Sequence, residues 1–177
     1  MHYNQGMQDW VPVPGSARRR LLDAAVVVFE RDGFEAAGVI DIATAAGVTT
    51  GSLYHHFGSK LGLFQVIRRE MERRIRDRLE GAVAATGGGR EGVATALLVG
   101  FDAAAKLKVQ RILSESPPGV IEDTLTRALI ELSAPAPAAA AAILLGAWRA
   151  ALASAAGGEA IAQVRAGLAW ALGSTHG

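Results

Sequence analysis

Residues 38–64, GVIDIATAAGVTTGSLYHHFGSKLGLF, read as two short helices joined by a glycine turn and followed by the start of a third. Val39, Ile42 and Ala43 fall at helical spacing and turn one face inward, and Gly47 stands where the first helix must stop in a left-handed conformation. The next helix starts at once. Thr49 is a good N-cap, its hydroxyl able to accept from the amide of Ser52 or Gly51, while Val48 and Leu53 are spaced as a hydrophobic staple. Leu53 and Phe57 are expected to face the core. Thr50, Gly51, Ser52, Tyr54, His55 and His56 then lie outside, as short or hydrogen-bonding residues that can approach a groove without blocking it. Ser59 caps a further helix and places Lys60 in its first turn, where amide ends and an ammonium together favour a phosphate. This is the grammar of a DNA-binding helix-turn-helix.

The string D-I-A-x-A-A-G-V-x-x-G-S-L-Y-x-H-F-x-S-K, Asp41 through Lys60, closely resembles the N-terminal domain of the tetracycline-repressor (TetR) family of bacterial regulators. Upstream, Arg19-Arg20-Leu21-Leu22-Asp23-Ala24-Ala25 to Phe29, then Gly33-Phe34, resembles that family's first helix and its glycine stop. Residues 16–65 carry the likeness. It implies an all-α protein: a three-helix helix-turn-helix domain over residues 16–60, and a helical ligand-binding and dimerisation bundle over residues 61–173. A flexible arm is expected over 1–15. The DNA-contacting residues it implies are Arg18, Arg19, Gly38, Thr49, Thr50, Gly51, Ser52, Tyr54, His55, His56 and Lys60. Of these, Tyr54 and Lys60 are read as phosphate contacts, His55 as a base or phosphate contact, and His56 as phosphate contact or packing. Three positions depart from the family pattern. Gly38 replaces a capping Ser or Thr that touches phosphate, Ile40 often a basic residue, and Thr50 commonly a lysine or another long polar residue. Weaker non-specific affinity is expected, with more of the burden on Arg18 to Arg20 and Lys60.

Composition alone does not announce nucleic acid. Lys and Arg total 18 against 17 Asp and Glu in 177 residues, with 11 against 10 to residue 80 and 7 against 7 from 81 onward, so neither half is markedly basic. Half the residues are hydrophobic, enough for a sizeable core. The absence of cysteine removes disulfide and thiolate chemistry and suits a reducing cytoplasm. Residues 1–15 lack the basic start and apolar run of a signal peptide. Ala138 to Ala156 has the length of a membrane span with only Arg149 charged, but its alanine content and central charge favour a buried helix, so no membrane partner is expected.

Along the chain, Leu21, Leu22, Ala25, Val28 and Phe29 predict a helix from Ser16 to Asp32, ended by Gly33. From Ser59 a long helix is predicted into the mid 80s, on the fourfold recurrence of Leu63, Ile67, Met71, Ile75 and Leu79. Its charged face, with Glu70–Arg74, Glu72–Arg76 and Arg73–Asp77 spaced as ion pairs, reads as solvated. Gly87-Gly88-Gly89 is expected to mark the domain boundary; with no strand before it, the formal G-x-G-x-x-G match at 87–92 is no nucleotide fingerprint. One helix is then expected through Phe101 and Leu107 to Leu113, a turn at Pro117-Pro118-Gly119, and helices over Val120–Leu132, Pro137–Ala156 and Glu159–Leu172.

By the family resemblance, the final two helices build a four-helix homodimer interface, for which Ile143, Leu144, Ala147, Ala151, Ile161, Val164 and Leu168 are the candidates. The same resemblance implies a small-molecule effector that binds within the C-terminal helices. Leu97, Phe101, Leu113, Leu125, Leu129 and Trp148 are the candidate apolar lining, with Gln110, Glu115 and Arg149 as polar handles, so a largely hydrophobic effector is expected. No cofactor, metal or catalytic residue is expected: adjacent His55 and His56 diverge by about 100° on a helix, and no nucleophile elbow or His-Glu-x-x-His pair is present. The function expected is a ligand-responsive repressor that binds a palindromic operator as a dimer. The alternatives are a helical small-molecule-binding dimer with degenerate DNA binding and a protein-interaction adaptor.

Overall fold

A computed structural model describes residues 15–116 and 124–173. The arm over 1–14, the turn at Pro117-Pro118-Gly119 and the expected helix start at Val120 lie outside the described residues. The described chain is helical without strands: α1 Ala17–Ala36, α2 Val39–Ala45, α3 Thr50–Phe57, α4 Lys60–Thr86, α5 Gly89–Leu107, α6 Gln110–Ser114, α7 Thr124–Leu132, α8 Ala138–Ala156 and α9 Ile161–Leu172. It divides into two compact units, residues 1–70 and 71–177. The division falls inside α4, ten residues beyond the expected end of the first domain and well before the glycines at 87–89. Those glycines end α4 and begin α5, all three at positive φ.

The first unit is a three-helix cluster closed by the first turns of α4. Ser16 caps α1, its hydroxyl accepting from the Arg19 amide, and Gly33 (φ 79°, ψ 168°) breaks the helix where the sequence predicts its stop. Past that break Phe34 turns back, stacking on Phe29 at 6.1 Å and meeting Phe64 edge-on at 5.1 Å; Phe29 and Phe64 are also edge-on at 5.1 Å. This aromatic trio draws residues 60–70 of α4 into the first unit. It explains why the unit outlasts the helix-turn-helix itself.

In the second unit α8 packs on α6, α7 and α9, while α5 packs on α6, α8 and α9. The expected single helix to Leu113 is interrupted. Lys108 adopts the left-handed conformation (φ 54°, ψ 56°), its amide reaching back to Ala104 and Ala105, and α6 restarts at Gln110. The break turns Val109, Ile112 and Leu113 into the core while Leu107 stays at the surface. Gly100 provides the close approach in this unit: a Cβ there would lie 3.0 Å from Leu79 Cδ2, 3.5 Å from Ile75 Cγ2 and 3.6 Å from Trp148 Nε1. Through that notch the buried Trp148 indole donates to the Leu97 carbonyl at 3.0 Å.

α8 is long and apolar enough to cross a membrane by length and composition. One face of it, Ala141, Leu145, Trp148 and Leu152, is buried against neighbouring helices, and the rest is half-buried or exposed. On α4, Glu72 departs from the expected solvated face. It is buried, accepts from the Thr124 hydroxyl at 2.6 Å and lies 4.0 Å from the Arg149 guanidinium. Arg73–Asp77 and Arg76–Glu80 form exposed pairs along the same helix.

Candidate nucleic-acid interface

The turn between α2 and α3 is built by backbone bonds. The Ala46 amide returns to Ile42, Gly47 (φ 63°) donates to Thr44, and Val48 donates to Ala43, so the chain reverses within three residues. Thr49 then caps α3, its hydroxyl accepting from the Ser52 amide at 3.3 Å. Leu53 is fully buried and sets the rotation of the helix. With that face fixed, Tyr54, 51% exposed, and His55 and His56 are presented outward, Thr49 and Gly51 are exposed, and Thr50 and Ser52 are half-buried at the helix start. The two imidazoles meet edge-on at 5.1 Å. The seven expected contact positions from Thr49 to His56, all but Leu53, thus gather on one short helix and its cap. The other expected positions divide according to their partners.

Phe57, expected in the core, is only half-buried, because it supports Arg18, whose guanidinium carbon lies 5.2 Å from the ring centroid. Arg18 is therefore held beside the end of α3. Arg19 pairs with Asp23 at 2.8 Å, and the hydrogen bond followed by the carboxylate's charge raises the Arg19 pKa above its ordinary value. Arg20 is structural: Nε donates to the Ala46 carbonyl at 2.9 Å and a terminal nitrogen to the Gly15 carbonyl at 2.7 Å, tying α1 to the end of α2.

Lys60, expected as a phosphate contact, faces the backbone of the α1–α2 connection in the structure. Its ammonium donates to the carbonyls of Phe34 (2.8 Å), Glu35 (3.2 Å) and Ala37 (3.2 Å) and lies 4.7 Å from the Phe34 ring centroid. An ammonium has three protons, and all three are committed. Lys60 thereby satisfies carbonyls left open where α1 breaks and α2 begins. Ser59 behaves as predicted, its hydroxyl accepting from the Gly62 amide at 2.9 Å. Gly62 itself escaped sequence reasoning. A Cβ there would collide with the Phe57 carbonyl oxygen, so the residue permits α4 to approach the end of α3. Gly38 occupies the N-cap of α2 in extended conformation without a side-chain hydrogen bond, and Ile40 is exposed.

The candidate effector residues lie apart from any open space the sequence suggested. Leu97, Phe101, Leu113, Leu125, Leu129 and Trp148 are buried as core, Glu115 pairs with Arg111 at 3.9 Å, Arg149 faces Glu72, and Gln110 is half-buried at the start of α6. A cavity of about 550 Å³ is instead bounded by the start of α5, the α7–α8 connection, α8 and the end of α9, and none of those nine residues lines it. The expected dimer residues also divide. Ile143, 71% exposed, and Ile161 are outward, Leu144, Ala147 and Ala151 half-buried, but Val164 and Leu168, only 8% and 4% exposed, pack inside the unit. The outward face of α9 carries Trp170 instead, 85% exposed, which the sequence reading missed.

The family model for bacterial regulatory proteins of the tetR family matches residues 21–67. Over 52 residues the chain is 50% identical to the HTH-type transcriptional repressor KstR2 of Rhodococcus jostii, covering 29% of this chain and 26% of that protein. The chain thus spans about a quarter of the length of that curated relative. Over the whole chain the likeness is to solved structures. A TetR-like transcriptional regulator from Rhodococcus sp. RHA1 is 26% identical with a TM-score of 0.64, covering 94% of this chain and 100% of that one. A tetR-family regulator from Shewanella sp. PV-4, at 22% identity, shares the fold with a TM-score of 0.65 over 89% of this chain and 96% of its own. With the turn, caps and buried positions of residues 38–64 arranged as described, residues 21–67 match the DNA-binding domain of bacterial regulatory proteins of the tetR family.

Proposed function

We propose that the protein is a sequence-specific DNA-binding transcriptional regulator that acts as a dimer and is released from its operator by a small molecule. The observation that carries the DNA-binding part is the division of α3: Leu53 is buried, while Tyr54, His55 and His56 stand outward beside a satisfied Thr49 cap. A merely solvated helix has no need of a rigid cap, a glycine at its second position and three exposed ring-bearing side chains in succession. Arg18, held against Phe57, adds a cation at the same end. The KstR2 relatives are named repressors, and repression is the direction we assign here.

Two copies related by a two-fold axis would place their α3 helices in successive major grooves about 34 Å apart, on a near-palindromic site. The second copy is supported by the outward face of α8 and α9, where Ile143 and Trp170 are exposed among alanines and glycines that let helices approach closely. An effector needs to prefer the released conformation by about 3 kcal/mol for a usable switch. Selection of bound sequences from random DNA by the full chain tests the reading. Recovery of a two-fold-symmetric site, protected over both halves, is the expected result; absence of any enriched sequence would remove the regulator reading and leave a helical ligand-binding dimer.

A further inference from the structure

The 550 Å³ cavity in the second unit falls within the range of about 300–1,000 Å³ typical of small-molecule sites. Its walls are apolar almost throughout, with Val93 on α5, Ala140, Ile143 and Leu144 on α8 and Leu172 on α9. The polar side chains in the lining are Ser133, whose hydroxyl donates to the Ile130 carbonyl at 3.5 Å, and Arg90, one residue into α5, whose guanidinium has no carboxylate partner among the described residues. One of its nitrogens lies 3.2 Å from where a Cβ on Gly173 would stand, so the absence of a side chain at 173 leaves room for the guanidinium at the cavity edge. A largely apolar space with an always-charged fork at its rim, without a carboxylate partner among the described residues, is complementary to a molecule with an aliphatic body and one anionic end. Neutral hydrophobes would leave Arg90 unused, and a cation would be repelled by it.

We propose that this cavity is the effector site and that its ligand is a soluble aliphatic carboxylate, chain among Val93, Ile143, Leu144 and Leu172, carboxylate paired with Arg90. The assignment of effector rests on the regulator reading above; the assignment of ligand does not, because binding is measurable without DNA. The site lies away from the core leucines and Trp148, which are filled by each other. It also adjoins Ile143 on the face assigned to the second copy, so a bound chain and the dimer contact share a wall.

The test uses the full chain and three ten-carbon probes at submicellar concentration: decanoate, decanol and decylamine, measured by calorimetry. Decanoate is expected to bind once per chain, decanol about tenfold more weakly for want of the charge-assisted pair, and decylamine not measurably. Arg90→Gln should bring decanoate down to the level of decanol and leave decanol unchanged. Ala140→Phe, which narrows the cavity from a half-buried position, should weaken both, with thermal unfolding of the unliganded variant showing that it is folded. Equal binding of decanoate by wild type and Arg90→Gln overturns the anion pairing. Equal binding by folded Ala140→Phe overturns the cavity as the site, as does failure of the dimer to bind any probe, which would mean that the second copy closes the cavity. Loss of operator binding on adding decanoate is the separate readout for the effector role. A chain that binds decanoate but no DNA would sink the regulator reading while sparing the ligand site.

Discussion

The Lys60 ammonium donates to the Phe34 carbonyl oxygen at 2.8 Å and lies 4.7 Å from the ring of the same residue, with the Glu35 and Ala37 carbonyls accepting its other two protons. The first residue of α4 is thus the clamp of the α1–α2 connection, and the position of α3 depends on it through both neighbours. Lys60→Ala is expected to cost about 1.5–3 kcal/mol of stability, the range for hydrogen bonds to a charged group. The salt dependence of DNA binding discriminates clamp from phosphate contact. A lost phosphate contact lowers the slope of log K against log salt by about 1, whereas a lost clamp leaves the slope and lowers the affinity. An unchanged slope is the expected outcome in salt titrations of the variant.

Gly38 leaves α2 without a side-chain cap, and a Cβ there would come 2.7 Å from Asp41 Oδ2. That oxygen ends a short, exposed side chain that can rotate away. In Gly38→Ser, the new hydroxyl would accept from the Asp41 amide and the Asp41 carboxylate could accept from the residue 38 amide, a reciprocal capping arrangement. Stability should rise by about 0.3 kcal/mol, and non-specific DNA affinity should rise with it as the hydroxyl reaches a phosphate. Chemical denaturation and binding to a scrambled duplex check the two effects separately.

On α3 the cap and the outward side chains should separate by experiment. Thr49→Ala removes the acceptor of the Ser52 amide and is expected to cost about 1 kcal/mol of stability. Tyr54→Phe leaves stability nearly untouched, since the side chain is half exposed, and weakens binding to all sequences alike. His55→Ala should instead change which bases are preferred, by about 1–3 kcal/mol at one position of each half-site. Repeating the sequence selection with each variant gives the comparison; a shifted consensus for Tyr54→Phe would reverse the two roles.

Trp170, 85% exposed on α9, is the side chain with most to gain from a second copy. Trp170→Ala should weaken dimerisation by about 2 kcal/mol or more, near thirtyfold in dissociation constant, without lowering the stability of the isolated chain. Leu168→Ala should do the opposite, destabilising the unit by about 2–5 kcal/mol as a buried leucine does. Sedimentation equilibrium and thermal unfolding of both variants distinguish contact between copies from packing within one.

Trp148 joins α8 to α5 by its bond to the Leu97 carbonyl, beside the Gly100 notch. Trp148→Phe removes a buried hydrogen bond and part of the ring's packing volume, and should cost about 1–3 kcal/mol. Urea unfolding monitored by far-UV circular dichroism is expected to show a lower midpoint with the same slope, because the surface exposed on unfolding hardly changes.

Much of the first unit was legible because its signals act over three or four residues. Gly33 and Gly47 adopt the positive φ their places demanded, Thr49 and Ser59 cap as their hydroxyls allow, and Leu53 fixes which side of α3 faces outward. The order of those features within Asp41–Lys60 was sufficient to point to the tetR family model that matches residues 21–67. What the sequence left open were choices made between distant segments. Lys60 finds its carbonyls 23 to 26 residues away, so local spacing presented it only as a free cation in a first turn. Glu72 looked like one member of a solvated charge ladder until Thr124 and Arg149 enclosed it. In α8 and α9 alanine and larger apolar residues occupy most positions, so the few polar ones, Arg149, Ser154, Gln163 and Arg165, leave a weak periodic signal of which side is covered. There the tertiary structure alone decided that Val164 and Leu168 turn inward and Trp170 outward, because the packing of α9 on α5 and α8 selects the buried face.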